Sequence, residues 1–104
     1  MRRGEVWLVS FARSPGGHVR TPQPAVIVSN NDANHIQVVP LSSKTRNVSP
    51  SEARVTVGGK KSKAMADQII TVRKHQLTER LGALCPHEMQ GVDMALRIQL
   101  GLAA

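Results

Sequence analysis

What this chain lacks narrows the field first. It has one cysteine, Cys85, so no intramolecular disulfide can form and a reducing cytoplasm is the simplest compartment. Cys85 stands just before a predicted helix with no evident partner, which argues against a redox or nucleophilic role. There is no tyrosine, one tryptophan and one phenylalanine, too few aromatics for a broad base-stacking platform. No apolar run approaches the ~20 residues that span a bilayer, and Met1-Arg2-Arg3 leads into no secretory h-region. Gly-rich phosphate loops, Cys/His metal spacings and nucleophile elbows are missing from the sequence. The expectation is a chain with no membrane segment, no metal and no cofactor.

Acidic residues are scarce as well. Seven Asp and Glu face fourteen Lys and Arg, for a net charge of +7. Thirteen of the cations and five of the acids lie in residues 1–80, against one and two in residues 81–104. The positive field therefore belongs to the first part of the chain. Such a field attracts polyanions, nucleic acid foremost, although a solubility surface has the same signature.

At 104 residues the chain is one domain, 1–104, able to bury a modest core. The organising stretch is Gln23–Ser43. Val26-Ile27-Val28 is a β-branched run of the kind found in strands buried on both faces. Pro24 suits a strand start, and the stretch predicts strands at Ala25–Ser29 and His35–Leu41 across an Asn-rich turn. Ser42, Ser43 and Lys44 then put hydroxyls and a cation just past a buried strand. Further strands are predicted at Gly4–Phe11, Glu52–Val57, Ala64–Val72 and Arg80–Leu84. The strand over Ala64–Val72 would contain Asp67 and Gln68.

Two basic loops flank these strands. Ala12–Pro22 carries Arg13, His18 and Arg20, and suits either a lid over an anion or a plain connection. Lys44–Ser51 carries Lys44 and Arg46. Lys60, Lys61 and Lys63 form a cluster after Gly58-Gly59, expected in a solvated turn and able to hold phosphates. Pro86 opens a helix at its first position, Met89, Val92, Leu96 and Leu100 form its apolar stripe, and Gly101 stops it. Short strands followed by one helix predict a mostly β, α+β fold: a small antiparallel barrel with a C-terminal helix.

The residues also resemble a known family, the MazF/PemK toxins. The resemblance rests on Arg3-Gly4-Glu5-Val6-Trp7, Pro24-Ala25-Val26-Ile27-Val28-Ser29-Asn30 and Val38-Val39-Pro40-Leu41-Ser42. It continues through Asp67-Gln68-Ile69, Thr71-Val72, Arg80-Leu81-Gly82, Val92-Asp93 and Leu100-Gly101-Leu102, in order along nearly the whole chain. It implies an SH3-like barrel, a homodimer, and a metal-free, sequence-selective endoribonuclease acting on single-stranded RNA. It further implies inhibition by a small acidic antitoxin.

Metal-free RNA cleavage needs a base for the ribose 2′-hydroxyl, donors on the phosphoryl oxygens and an acid for the leaving 5′-oxygen. By resemblance, Ser42 stands at the family's threonine position and keeps its hydroxyl. Where most relatives carry arginine, this chain carries Gln23, which donates a hydrogen bond but has no charge. One reading brings Arg20 in from the loop, with His18 as the proton-transfer group. The others are weak cutting, or a module that only binds RNA, an antitoxin or a topoisomerase. The RNA-binding set expected around this centre is Arg13, Ser43, Lys44, Arg46, Lys61, Asp67 and Gln68.

Overall fold

The computed structural model describes residues 1–11, 21–30 and 34–102. Among them are seven strands and one α-helix: β1 (Glu5–Val9), β2 (Gln23–Ile27), β3 (His35–Ser42), β4 (Glu52–Val57), β5 (Lys60–Met65), β6 (Ile70–Arg73), β7 (Leu77–Ala83) and α1 (Pro86–Leu100). All the paired strands are antiparallel, in the order β4-β5-β3-β2-β1-β7, with β6 on β3. The sheet curls into a small SH3-like barrel with the helix against it.

Strand β3 makes the curl possible. Its first part pairs with β6 and its middle with β2, while Leu41 and Ser42 pair with β5. The outer strands β4 and β7 approach at Gly82, where an added Cβ would lie 3.4 Å from Val57 Cγ1. A larger side chain there would press the two edges apart.

The uninterrupted apolar run has a direct cause: β2 and β3 are covered on both faces. Val26, Val39 and Leu41 pack with Ala53, Val55, Val92 and Ala95 in one cluster. Ala25, Ile27 and Val38 pack with Val9, Val72 and Leu77 in the other, against half-buried Trp7. Each fully buried valine contributes about 1.5–2 kcal/mol of transfer free energy.

Helix α1 starts at Pro86 and ends at Gly101, whose φ of +68° is the left-handed cap that glycine adopts at least cost. Leu102 N–H then donates to Arg97 O at 2.8 Å. Arg3 clasps the helix to the barrel. Its Nε donates to Val28 O at 2.8 Å, and both terminal nitrogens reach the Asp93 carboxylate.

Some expectations are corrected here. Asp67 and Gln68 lie in a one-turn 3-10 helix, Ala66–Gln68, between β5 and β6 rather than inside one strand. Ala66 is buried, and the chain turns around that anchor. Lys60, Lys61 and Lys63 belong to β5, not to the turn, because Gly58-Gly59 alone makes the hairpin bend. The last strand begins at Leu77 instead of Arg80. In the helix stripe, Val92 is buried and Met89 and Leu96 pack on the core, whereas Leu100 is exposed, as are Met94, Ile98 and Leu102. No described helix is long and apolar enough to cross a membrane.

Candidate nucleic-acid interface

Strand register assembles the site. Gln23 pairs with Val9 of β1. The β2–β3 ladder ends at Ala25 and Pro40, and two more steps in that register bring Gln23 opposite Ser42. Ser42 pairs with Lys63 of β5, and Lys63 with Arg54 of β4. Residues directly opposite in adjacent strands share a face, about 5 Å apart. Ser42, Lys63 and Arg54 thus form one cross-strand row on one face, and Gln23 joins it only by extending the β2–β3 register two steps past its last pair. Lys61 and Thr56, two positions along their strands, share it.

The polar groups of this row organise the adjoining loop. Ser42 Oγ accepts from Lys44 N–H at 3.1 Å, which leaves the hydroxyl proton available to a ligand. Lys63 Nζ donates to Asn47 O at 3.0 Å and pairs with Glu52 at 3.2 Å. Arg54 donates to Thr45 O at 2.9 Å, and Ser49 N–H donates to Glu52 Oε1 at 2.9 Å. The Ser49 N–H chiefly, against the upward push of burial and aided by Lys63, holds the Glu52 carboxyl below its ordinary value. The backbone of residues 44–51 is therefore fastened at several points, while Ser43, Lys44 and Arg46 are exposed. Thr45, Arg54, Val55, Thr56, Lys61, Ser62 and Glu88 border a shallow cleft of about 200 Å³ here.

Each expected site residue can now be placed. Ser42 ends β3 and Gln23 starts the neighbouring antiparallel strand β2. Exposed Ser43, Lys44 and Arg46 follow Ser42 in the chain, and Lys61 lies two positions from Lys63, the cross-strand partner of Ser42. Arg13, His18 and Arg20 lie outside the described residues. The segment that carries them follows β1 and precedes β2, whose ends Val9 and Gln23 are paired. Asp67 and Gln68 are exposed beyond the row, where the chain leaves β5. Gln68 Nε2 contacts Met65 Sδ at 3.7 Å. His35 pairs with Arg73 at the opposite end of β3 from Ser42.

Lys63 and Arg54 were missed as members of the row. The sequence holds their signature: once Gly58-Gly59 is taken as a two-residue hairpin turn, counting outward pairs Arg54 with Lys63.

A second feature lies on the reverse face of the same strand ends. Pro24 and Leu41 wall a cleft of about 450 Å³ at the barrel's open mouth, with Val57 and Leu81 opposite. Ser43, Lys60 and Ser62 supply its polar groups.

Away from both clefts, Glu5 gathers donors at the start of β1. It accepts from Trp7 Nε1 at 2.9 Å and Arg2 N–H at 3.0 Å, and it faces the Met1 ammonium and Arg80. Burial pushes its carboxyl upward, but these partners outweigh it and hold it at about 2. Among the described residues no three His, Cys, Asp or Glu side chains gather as a metal centre requires.

Comparison with known proteins agrees with this architecture over its whole length. The profile of the PemK-like, MazF-like toxins of type II toxin–antitoxin systems matches residues 2–100. Endoribonuclease MazF9 of Mycobacterium tuberculosis is 33% identical over 98% of each chain. A mycobacterial endoribonuclease solved in complex with its cognate antitoxin superposes with a TM-score of 0.82 at 28% identity, covering 100% of this chain and 98% of that one. MazF from Deinococcus radiodurans shares the fold at a TM-score of 0.79 and 18% identity, covering 98% of this chain and 97% of its own.

Proposed function

This chain belongs to the PemK-like, MazF-like toxins of type II toxin–antitoxin systems and is an endoribonuclease of that class, and we propose that it cuts single-stranded RNA at the Gln23–Ser42 strand ends without metal. Family membership along the whole chain carries this reading, and the cross-strand row supports its location.

The ribose 2′-hydroxyl attacks the adjacent phosphorus. A new O2′–P bond forms, the P–O5′ bond breaks, and the products are a 2′,3′-cyclic phosphate and a 5′-hydroxyl. Ser42 donates its free hydroxyl proton to a phosphoryl oxygen, and Gln23 donates its amide N–H to the same group. Lys61, Lys44 and Arg46 hold the flanking phosphates. Lys63 is occupied by Glu52 and Asn47, so its part is to fix the loop. The charge-bearing group missing at Gln23 comes from Arg20, with His18 transferring the proton.

The partner is an antitoxin, and we take it to be an acidic segment that covers the cationic row in place of RNA. The toxin forms a homodimer through an apolar surface that includes Met94, Ile98 and Leu102. Met94 and Ile98 lie one turn apart on α1, Leu102 follows its Gly101 cap, and all three remain 45–60% exposed. Its place of action is the cytoplasm, where its substrate is.

A second reading has one observation in its favour: the uncharged Gln23. Without a charged donor there, the barrel would bind RNA and leave it whole. Purified protein incubated with single-stranded RNA in EDTA separates the two. Fragments with cyclic phosphate ends, lost in Ser42→Ala, support cleavage. Binding without fragments sinks it.

A further inference from the structure

The larger cleft is not used by the row, since Pro24 and Leu41 point to the opposite face from Gln23 and Ser42. Its position is nonetheless immediate: Pro24 and Leu41 are the chain neighbours of Gln23 and Ser42, and Ser43 lines the cleft directly. A nucleotide whose phosphate lies at Ser42 can pass over the strand ends and drop its base into this mouth.

The lining fits such a guest. Pro24, Leu41, Val57 and Leu81 give apolar walls for the faces of a planar ring. The volume of about 450 Å³ lies within the ~300–1,000 Å³ of small-molecule sites. Ser62 is the buried polar residue among those described, only 8% exposed. Its hydroxyl has no hydrogen-bond partner among the described residues; the residue borders both this cleft and the smaller one, and alternation along β5 puts it on the same face as Lys60. A buried hydroxyl without a partner costs about 1–3 kcal/mol, so a ligand that satisfies it is favoured. Lys60 at the rim only donates, the hydroxyls of Ser43 and Ser62 can donate, and the lining has no carboxylate or amide side chain. Donors without dedicated acceptors select a base edge rich in carbonyl oxygen.

We propose that this cleft is a nucleobase subsite that takes a keto base, uracil or guanine, from a nucleotide flanking the cut. Pro24, Leu41, Val57 and Leu81 hold the ring, and Ser62 and Lys60 donate to its carbonyl oxygen. The assignment rests on the RNA-cleaving reading above, and it makes the cleft a determinant of sequence selectivity.

The experiment digests a single-stranded RNA carrying a randomised pentanucleotide, in EDTA, and sequences the cut ends. The wild type prefers a keto over an amino base at one flanking position by about tenfold or more, as one satisfied buried donor implies. Ser62→Ala reduces that preference to about threefold or less, with an unchanged or higher melting temperature because an unpaired buried hydroxyl is gone. Leu81→Trp, which fills the mouth from an exposed position, lowers cleavage of the preferred sequence while the protein stays folded by circular dichroism. If the wild type cuts and both variants keep its base preference, the subsite is wrong and the cleavage reading stands. If the variants instead weaken only the complex with the acidic protein encoded beside the gene, the cleft is an antitoxin pocket and the proposal is overturned. A wild type that neither cuts nor binds the RNA overturns both.

Discussion

Replacing Glu52 by glutamine keeps the side chain's shape and removes its charge, which isolates what the carboxylate does for the loop beside Ser42. The pair it forms with Lys63 has side chains only 12% and 16% exposed. It therefore lies between surface pairs, worth about 0–1 kcal/mol, and fully buried ones, where loss of one partner costs about 3–5 kcal/mol. A loss of about 2 kcal/mol follows. In a domain of this size that lowers the melting temperature by about 8–15 °C. The pH dependence gives a sharper check. The Glu52 carboxyl lies below its ordinary value of 4.5 in the folded chain, so its stabilisation is fully present above that value and fades as pH falls through the folded-state value. Thermal melts of Glu52→Gln and wild type should therefore differ most near neutrality and converge on acidification. Equal melting temperatures at pH 7, or a gap that persists unchanged in acid, would refute the argument.

Other consequences follow from the same geometry. Glu5→Gln should flatten the acid side of the stability profile between about 4.5 and 2, the interval over which the wild-type carboxylate loses its partners; a pH series of melts reads this. Arg3→Met removes the bond to Val28 O and the clasp on Asp93, and should cost about 1–2 kcal/mol in urea unfolding. Gln23→Arg adds a charged donor opposite Ser42 and should raise the rate of RNA cutting by about tenfold or more, read from initial rates on one oligonucleotide. Ile98→Glu places a charge on the exposed apolar side of α1 and should shift the protein from dimer to monomer in sedimentation.

The barrel was largely legible because its strongest patterns are local. The run Val26-Ile27-Val28 pointed to a strand covered on both faces, and Pro86 and Gly101 marked the helix. The turn at Asp67 was hidden because Ala64–Val72 reads as one continuous β-prone segment. Only the burial of Ala66 against distant residues decides where it breaks. The row Ser42–Lys63–Arg54 was only partly legible. Gln23 and Ser42 stand beside recognisable strand motifs, whereas Lys63 and Arg54 required pairing of two strands around Gly58-Gly59. Ser62 carried no sequence mark, since a serine among lysines looks solvent-facing until the curl of the sheet turns it inward.

The attack by a ribose 2′-hydroxyl is tested most directly with an RNA that carries a single 2′-deoxynucleotide on the 5′ side of the mapped cut. The deoxy position should block cleavage at that bond in EDTA while Ser42→Ala still binds the strand. Undiminished cutting beside the deoxynucleotide would contradict the account, because the nucleophile would then have to come from elsewhere.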